Sequence, residues 1–231
     1  MHTKDTISVV IPVYNGESFL ADAIESIIAQ QASVAEIIVI DDGSTDDSAG
    51  IARQYAAVNY IYQDNAGAAA ARNHGATLAT GDFLAFLDAD DVWMPDKLTR
   101  QLAAFATDSD LDVVFGHARQ VQIIKPGKSG DSGDLTSKNL QYEVLPARLP
   151  SAMLIRRDAF QRVGAYDKQW RLGEVVDWYN RAVEAGLKMH MLPEILYERR
   201  LHDDNLGKRE QQFRSDYLAV VKAALDRRRA R

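Results

Sequence analysis

Apolar residues in this chain alternate between two spacings. Short β-branched runs at Ile7–Val13, 36–40, Val58–Tyr62 and 83–87 predict strands. Between the first two, Leu20, Ala23, Ile24, Ile27 and Ile28 follow the i, i+3, i+4, i+7, i+8 spacing of an amphipathic helix. A second helix, capped by Ser44 or Thr45, is predicted to run to about Tyr55, and an Ala-rich third covers 66–78. Pro95 suits the first turn of a fourth, reaching about Phe105. Four strand–helix units in succession predict an α/β fold, a mostly parallel sheet with helices on both faces. Further on, 151–155 reads as a returning strand, Arg157–Val163 and 172–185 as helices, 187–197 as extended, and 211–225 as a last amphipathic helix. The segment 125–138 (KPGKSGDSGDLTSK) reads either as a mobile lid or as a plain excursion. It divides one fold rather than two, so residues 1–231 are expected to form a single domain.

Composition removes several classes. With 46% apolar and 26% charged residues the chain is neither disordered nor fibrous. The absence of cysteine excludes disulfides, thiolate zinc sites and thiol nucleophiles. No apolar run approaches the ~18 residues of a membrane span, and Met1–Thr6 carries no signal-peptide pattern; a cytoplasmic location is expected. The net charge of −6 is uneven: 199–231 holds ten Lys/Arg against five Asp/Glu, leaving 17 against 28 elsewhere. So acidic a chain is not expected to bind nucleic acid. Its basic end, Arg227-Arg-Arg-Ala-Arg231, suits peripheral contact with an anionic inner membrane face or an acidic partner, or is simply a solvated helix end favoured by the helix dipole.

Ligands of doubly wound sheets bind at the carboxyl ends of the strands. Those ends carry Pro12-Val-Tyr-Asn15, Asp41-Asp42, Gln63-Asp64-Asn65 and Asp88-Ala-Asp-Asp91, so several carboxylates converge on one rim. Such a cluster repels itself unless a cation compensates it or each acid caps a helix. No Gly-x-Gly-x-x-Gly, Gly-x4-Gly-Lys-Ser/Thr or Gly-x-Ser-x-Gly motif is present. Phe86-Leu-Asp-Ala-Asp-Asp-Val-Trp93 instead ends a strand in Asp-x-Asp, which suits a Mg²⁺ or Mn²⁺ ion shared with diphosphate oxygens.

With that motif the chain resembles family 2 glycosyltransferases of the GT-A fold. The resemblance rests on Ser8-Val-Val-Ile-Pro-Val-Tyr-Asn-Gly-Glu17, Ile38-Val-Ile-Asp-Asp-Gly-Ser-Thr-Asp46, Asn65-Ala-Gly-Ala-Ala-Ala-Ala-Arg-Asn-His-Gly75, Gly81-Asp-Phe-Leu-Ala-Phe-Leu-Asp-Ala-Asp-Asp91 and, more loosely, 173–181, in the family's order. It implies inverting transfer from a nucleoside diphosphate sugar, UDP favoured, to an acceptor hydroxyl, with Mn²⁺ or Mg²⁺ as cofactor and a role in cell-envelope polysaccharide synthesis. It also implies a donor-binding half over about 1–116, an acceptor and catalytic half over about 117–208, and a C-terminal helix with its basic tail. Pro12, Tyr14, Asp41 and Asp42 fall where the family cradles the base, Arg72 where it places a cation near base or phosphate, Asp88 near ribose or sugar, and Asp90 on the metal.

The chain departs from the family at the catalytic base. Members carry Glu-Asp, the Asp being the base; here the aligned stretch is Glu174-Val-Val-Asp-Trp-Tyr-Asn-Arg181, with Val175 in that place. Glu174 is expected to take the role, with Asp177, three residues on and expected on the same face, as the alternative. Arg199 and Arg200 can clamp a diphosphate, and His202 can join a metal site or bond phosphate. Of Trp93, Trp170 and Trp178, the last is best placed to stack on a sugar. Two other functions fit parts of the pattern. A degenerate transferase that only binds nucleotide or partner would explain Val175. The Asp88-Ala-Asp90 motif also fits a haloacid-dehalogenase-type phosphatase, with Asp88 as nucleophile and Asp90 as general acid, although that family carries it on the first strand.

Overall fold

The computed structural model describes residues 5–123, 142–203, 205 and 215–229. In the first half β1 (Ile7–Val13), α1 (Leu20–Ile28), β2 (Val34–Asp41), α2 (Ser48–Arg53), β3 (Val58–Tyr62), α3 (Ala68–Leu78) and β4 (Phe83–Phe86) alternate as expected. β1 pairs in parallel with β2 on one side and β4 on the other, and β2 with β3. Val9, Val10 and Ile11, Ile38 to Ile40, and Leu84 to Phe86 are fully buried in sequence rather than alternately. Consecutive burial means both sheet faces are covered, which is why these strands read as unbroken apolar runs. Gly75 lets α3 lie directly on β1: a Cβ there would stand 2.3 Å from Val10.

The second half adds β5 (Val92–Trp93), α4 (Lys97–Thr107), β6 (Val113–Gln122), β7 (Glu143–Ala147), a 3-10 turn at Pro150–Ala152, β8 (Leu154–Arg156), α5 (Arg157–Val163), α6 (Glu174–Glu184), β9 (Met189–Leu201) and α7 (Ser215–Arg229). All nine described strands join one sheet in the order β3-β2-β1-β4-β8-β6-β9-β5, with β7 paired to β6. Here the strands run both ways: β8 is antiparallel to β4 and β6, β5 is antiparallel to β9, and β9 is parallel to β6.

Several sequence expectations need correction. Neither Ser44 nor Thr45 caps α2, which starts at Ser48 after Asp47 without a side-chain cap; both hydroxyls bond Asn15 instead. Pro95 precedes α4, whose N-cap is Asp96. Ile28 ends the α1 stripe but is 52% exposed. Strands β5, β6 and β7 were not anticipated. The segment 125–138 lies outside the described residues.

Candidate active site

The strand order reverses at β1, between β2 and β4, and the cleft opens there at the carboxyl ends, as the switch-point rule requires. It encloses about 730 Å³ and is walled by the ends of β1, β2 and β4, the start of α3, residues 168–171 and the end of β9.

Backbone bonding builds one wall. Asp42 N–H donates to Val13 O at 2.8 Å, which docks the end of β2 against β1. Asn15, in the left-handed region at φ 52°, accepts from Thr45 N–H at Oδ1 (2.8 Å) and donates its own N–H to Ser44 Oγ (2.9 Å). Asn tolerates this conformation because its short amide can bond locally. Gly43, at φ 82°, allows Asn65 to close over the turn, since a Cβ would meet Asn65 N at 2.9 Å.

The two acids of the base pocket have different surroundings. Asp41 is 1% exposed, accepts from Ser44 N–H (2.8 Å) and Tyr60 O–H (2.7 Å), and does not line the cleft. Burial and this carboxylate push the Tyr60 hydroxyl up to about 12. Asp42 does line the cleft, with Pro12 and Tyr14. It accepts from Gln63 Nε2 (2.7 Å), Ala66 N–H (2.9 Å) and Gly67 N–H (2.8 Å), shaping the loop that leads into α3.

At the other end stand Asp88, Asp90 and Asp91. Asp88 is braced by Arg72, whose buried guanidinium donates to Asp88 Oδ1 at 2.7 Å and to Glu174 Oε1 at 3.0 Å. Burial works against that positive charge, but the two carboxylates outweigh it and hold Arg72 above its ordinary range. Asp90 Oδ2 accepts from Asn205 Nδ2 at 2.8 Å and lies 3.1 Å from His202 Nε2. His202 is buried, stacked on Phe19 at 4.6 Å between centroids, and its Nδ1 has no hydrogen-bond partner among the described residues. Asp91 turns inward to Ser151 Oγ–H (2.8 Å) and Arg200 N–H (3.2 Å). Burial, then the charges of Asp90 and Asp88, push its carboxyl well above the usual range.

A divalent cation fits this donor set. Asp90 and His202 bring a carboxylate and an imidazole within one hydrogen-bond length; the carboxylate suits Mn²⁺ or Mg²⁺, and the added nitrogen favours Mn²⁺ over the oxygen-preferring Mg²⁺. Among the described residues no group of three His, Asp or Glu side chains could hold a metal ion, so diphosphate and water would complete the shell.

The structure thus brings together Pro12, Tyr14, Asp42, Arg72, Asp88, Asp90, Arg199, Arg200 and His202 around one cleft. Arg199 lies exposed on its rim, while Arg200 also donates to Asp22 Oδ2 at 2.7 Å. Glu174 and Asp177 share helix α6, as their spacing predicts, but neither lines the cleft that both were expected to reach. Glu174 is held by Arg72, and Asp177, 2% exposed, is enclosed by Arg181 (2.8 Å) and Arg227 (3.1 Å). Trp178 is a core residue at 1% exposure, stacked on Phe160, and cannot meet a sugar; Trp170 lines the cleft instead. Sequence reasoning missed Asp46, Lys168, Arg171 and Asn205 and ranked Trp170 behind Trp178. Asp46 closes the run quoted from Ile38, and the other three carried no signal.

Comparison with known proteins decides the family: the sequence profile of glycosyl transferase family 2 matches residues 8–164. The chain belongs to that family. It is 36% identical over 179 residues to an uncharacterized glycosyltransferase of Nostoc sp. (strain PCC 7120), covering 72% of this chain and 56% of the relative. In fold it is similar to S. aureus TarS in complex with UDP-GlcNAc (TM-score 0.71, 17% identity, 95% of this chain and 65% of that one). It is likewise similar to the mannosyltransferase PcManGT of Pyrobaculum calidifontis in complex with GDP-Man and Mn²⁺ (TM-score 0.72, 15% identity, 96% and 65%). These likenesses establish the GT-A α/β fold. The chain spans little more than half of the Nostoc relative it matches. Family membership also removes the phosphatase reading of Asp88 and Asp90.

Proposed function

We propose that this chain binds a nucleoside diphosphate sugar, UDP-linked, and transfers the sugar with inversion to an acceptor hydroxyl, assisted by Mn²⁺ or Mg²⁺. One observation carries the reading: Asp42 stands at one end of the cleft, and Asp88, Asp90 and His202 at the other. Asp42, beside Pro12 and Tyr14, receives a base N–H. Asp90 and His202 would hold the cation, which when bound would supply charge stabilisation to a departing diphosphate. Arg199 adds a second positive charge on the same side. Arg72 fixes the direction in which Asp88 meets ribose or sugar. The donors bound by TarS and PcManGT, named above, support both the nucleotide class and the metal.

An inverting transfer also needs a group to take the acceptor's proton. We assign it to Glu174, the acid at the start of α6 joined to the cleft through Arg72; its carboxylate is held by Arg72, so taking the acceptor's proton requires that bond to give way. Asp177, closed in by two arginines, is withdrawn as the alternative. The second reading, donor binding without transfer, is favoured by Val175 at the base position beside two acids already held in ion pairs.

Calorimetric titration of UDP and GDP, with Mn²⁺ and with EDTA, tests the first reading. Metal-dependent binding of UDP supports it, and equal affinity in EDTA sinks it. Turnover then separates the two. Glu174→Gln is expected to lose at least about a hundredfold in rate with donor affinity intact. Donor binding with no sugar release or transfer by the unmodified chain establishes the second reading.

A further inference from the structure

α7 has two faces of unlike character. Val220 and Ala224, at 0% and 5% exposure, face the protein body. Arg227 pins the helix to α6 by donating to Glu184 Oε2 (3.0 Å) and Asp177 Oδ1 (3.1 Å). On the outer side Leu218, Val221 and Leu225 are 77%, 50% and 47% exposed. Their i, i+3, i+7 spacing forms one stripe on a helix. At 100° per residue, Lys222 and Arg229 fall along one flank of that stripe and Arg228 along the other. All three cations are exposed, and Arg228 comes only within 4.0 Å of Glu184. The one acid exposed on this helix is Asp226; Asp216 is turned inward, accepting from the backbone N–H groups of Arg171 and Leu172.

An apolar stripe flanked by cations matches a helix lying in the plane of a membrane interface, where side chains enter the acyl boundary and cations meet anionic headgroups. The rest of the chain is acidic, with 23 Lys/Arg against 31 Asp/Glu outside Ser215–Arg229, and such a surface is repelled. Charge therefore selects the α7 end for approach. We infer that α7 is a membrane-docking helix that seats Leu218, Val221 and Leu225 on an anionic lipid surface. The bond from Asp216 to the loop of Arg171, which walls the cleft, then holds that wall beside the bilayer. Docking requires no sugar transfer and stands independently of it.

Flotation of the full chain with phosphatidylcholine vesicles, with and without phosphatidylglycerol, provides the test. Binding is expected only with phosphatidylglycerol and should weaken at high salt. The double variants Leu218→Asp/Leu225→Asp and Lys222→Glu/Arg229→Glu should each reduce the bound fraction about tenfold or more, with circular dichroism and thermal transition unchanged. Absence of flotation, or variants that float like the unmodified chain, overturns the inference. So does a soluble dimer that Leu218→Asp/Leu225→Asp dissociates without any flotation, because the stripe would then join two copies.

Discussion

At the amino ends of the parallel strands, two carboxylates are ringed by donors. Glu36 accepts from Ser8 O–H (2.5 Å), Thr80 N–H (2.7 Å) and Thr80 O–H (2.8 Å); Asp82 accepts from Thr6 N–H (3.0 Å) and O–H (2.7 Å). At Glu36 these bonds outweigh burial, and both carboxyls lie below their usual range. At the carboxyl ends of the same strands, Asp88, Asp90 and Asp91 are set against one another, and burial with the neighbouring charges drives Asp91 the other way. Glu36 and Asp82 are satisfied by donors, whereas Asp88, Asp90 and Asp91 are crowded by one another's charge, a conflict that the proposed cation would relieve.

The largest effect expected from this contrast is at Asp90. Asp90→Ala removes the carboxylate of the proposed metal site, so turnover should fall roughly a thousandfold, equivalent to several kcal/mol. Relief of repulsion should leave the thermal transition unchanged or raised. A variant that keeps full metal-dependent turnover would break the comparison. Arg72→Met comes next. It strands Glu174 without its counterion, and denaturant titration should show a loss of about 3–5 kcal/mol, the cost of breaking a buried pair from one side. Asp42→Asn replaces one of two accepting oxygens with an NH₂ donor, so either Ala66 N–H or Gly67 N–H loses its acceptor and the pocket loses its negative charge; UDP affinity should drop by about 1–3 kcal/mol, roughly 5- to 150-fold by calorimetry.

Glu36→Gln is the smallest and sharpest. Its folded carboxyl is held below the ordinary value, so its stabilisation is present above the normal carboxylate range and vanishes as pH falls through the folded value. Denaturation at neutral pH should show a loss of about 1 kcal/mol. That gap should close below about pH 4. A gap that stays constant would mean the acid matters only for its shape.

The parallel half and its acidic rim were legible because consecutive burial writes itself as unbroken apolar runs, and because strand ends announce themselves in Asp and Gly. β6 was not legible. Val113 to Gly116 is buried, but the strand continues through His117, Arg119, Gln120 and Gln122, whose polarity resembles a loop. β5, at two residues, is too short for any periodicity. The partners of individual acids were hidden for another reason. Arg72 meets Glu174 across 102 residues, and Asp177 meets Arg227 across 50, distances over which no spacing rule operates. Three-residue spacing correctly placed Glu174 and Asp177 on one helix, but said nothing of the arginines already waiting for them.

Synthesis from the amino terminus gives the Arg72 bridge a consequence in time. When β4 leaves the ribosome, Arg72 already has Asp88 nearby, but its second counterion is still about a hundred residues away. The far edge of β4 is also bare until β8 arrives with Leu154 to Arg156. An early chain therefore presents a fully apolar strand edge and a half-neutralised cation to its neighbours. Residues 1–116 expressed alone should be prone to aggregate, and native order should set in cooperatively only after α6 has emerged.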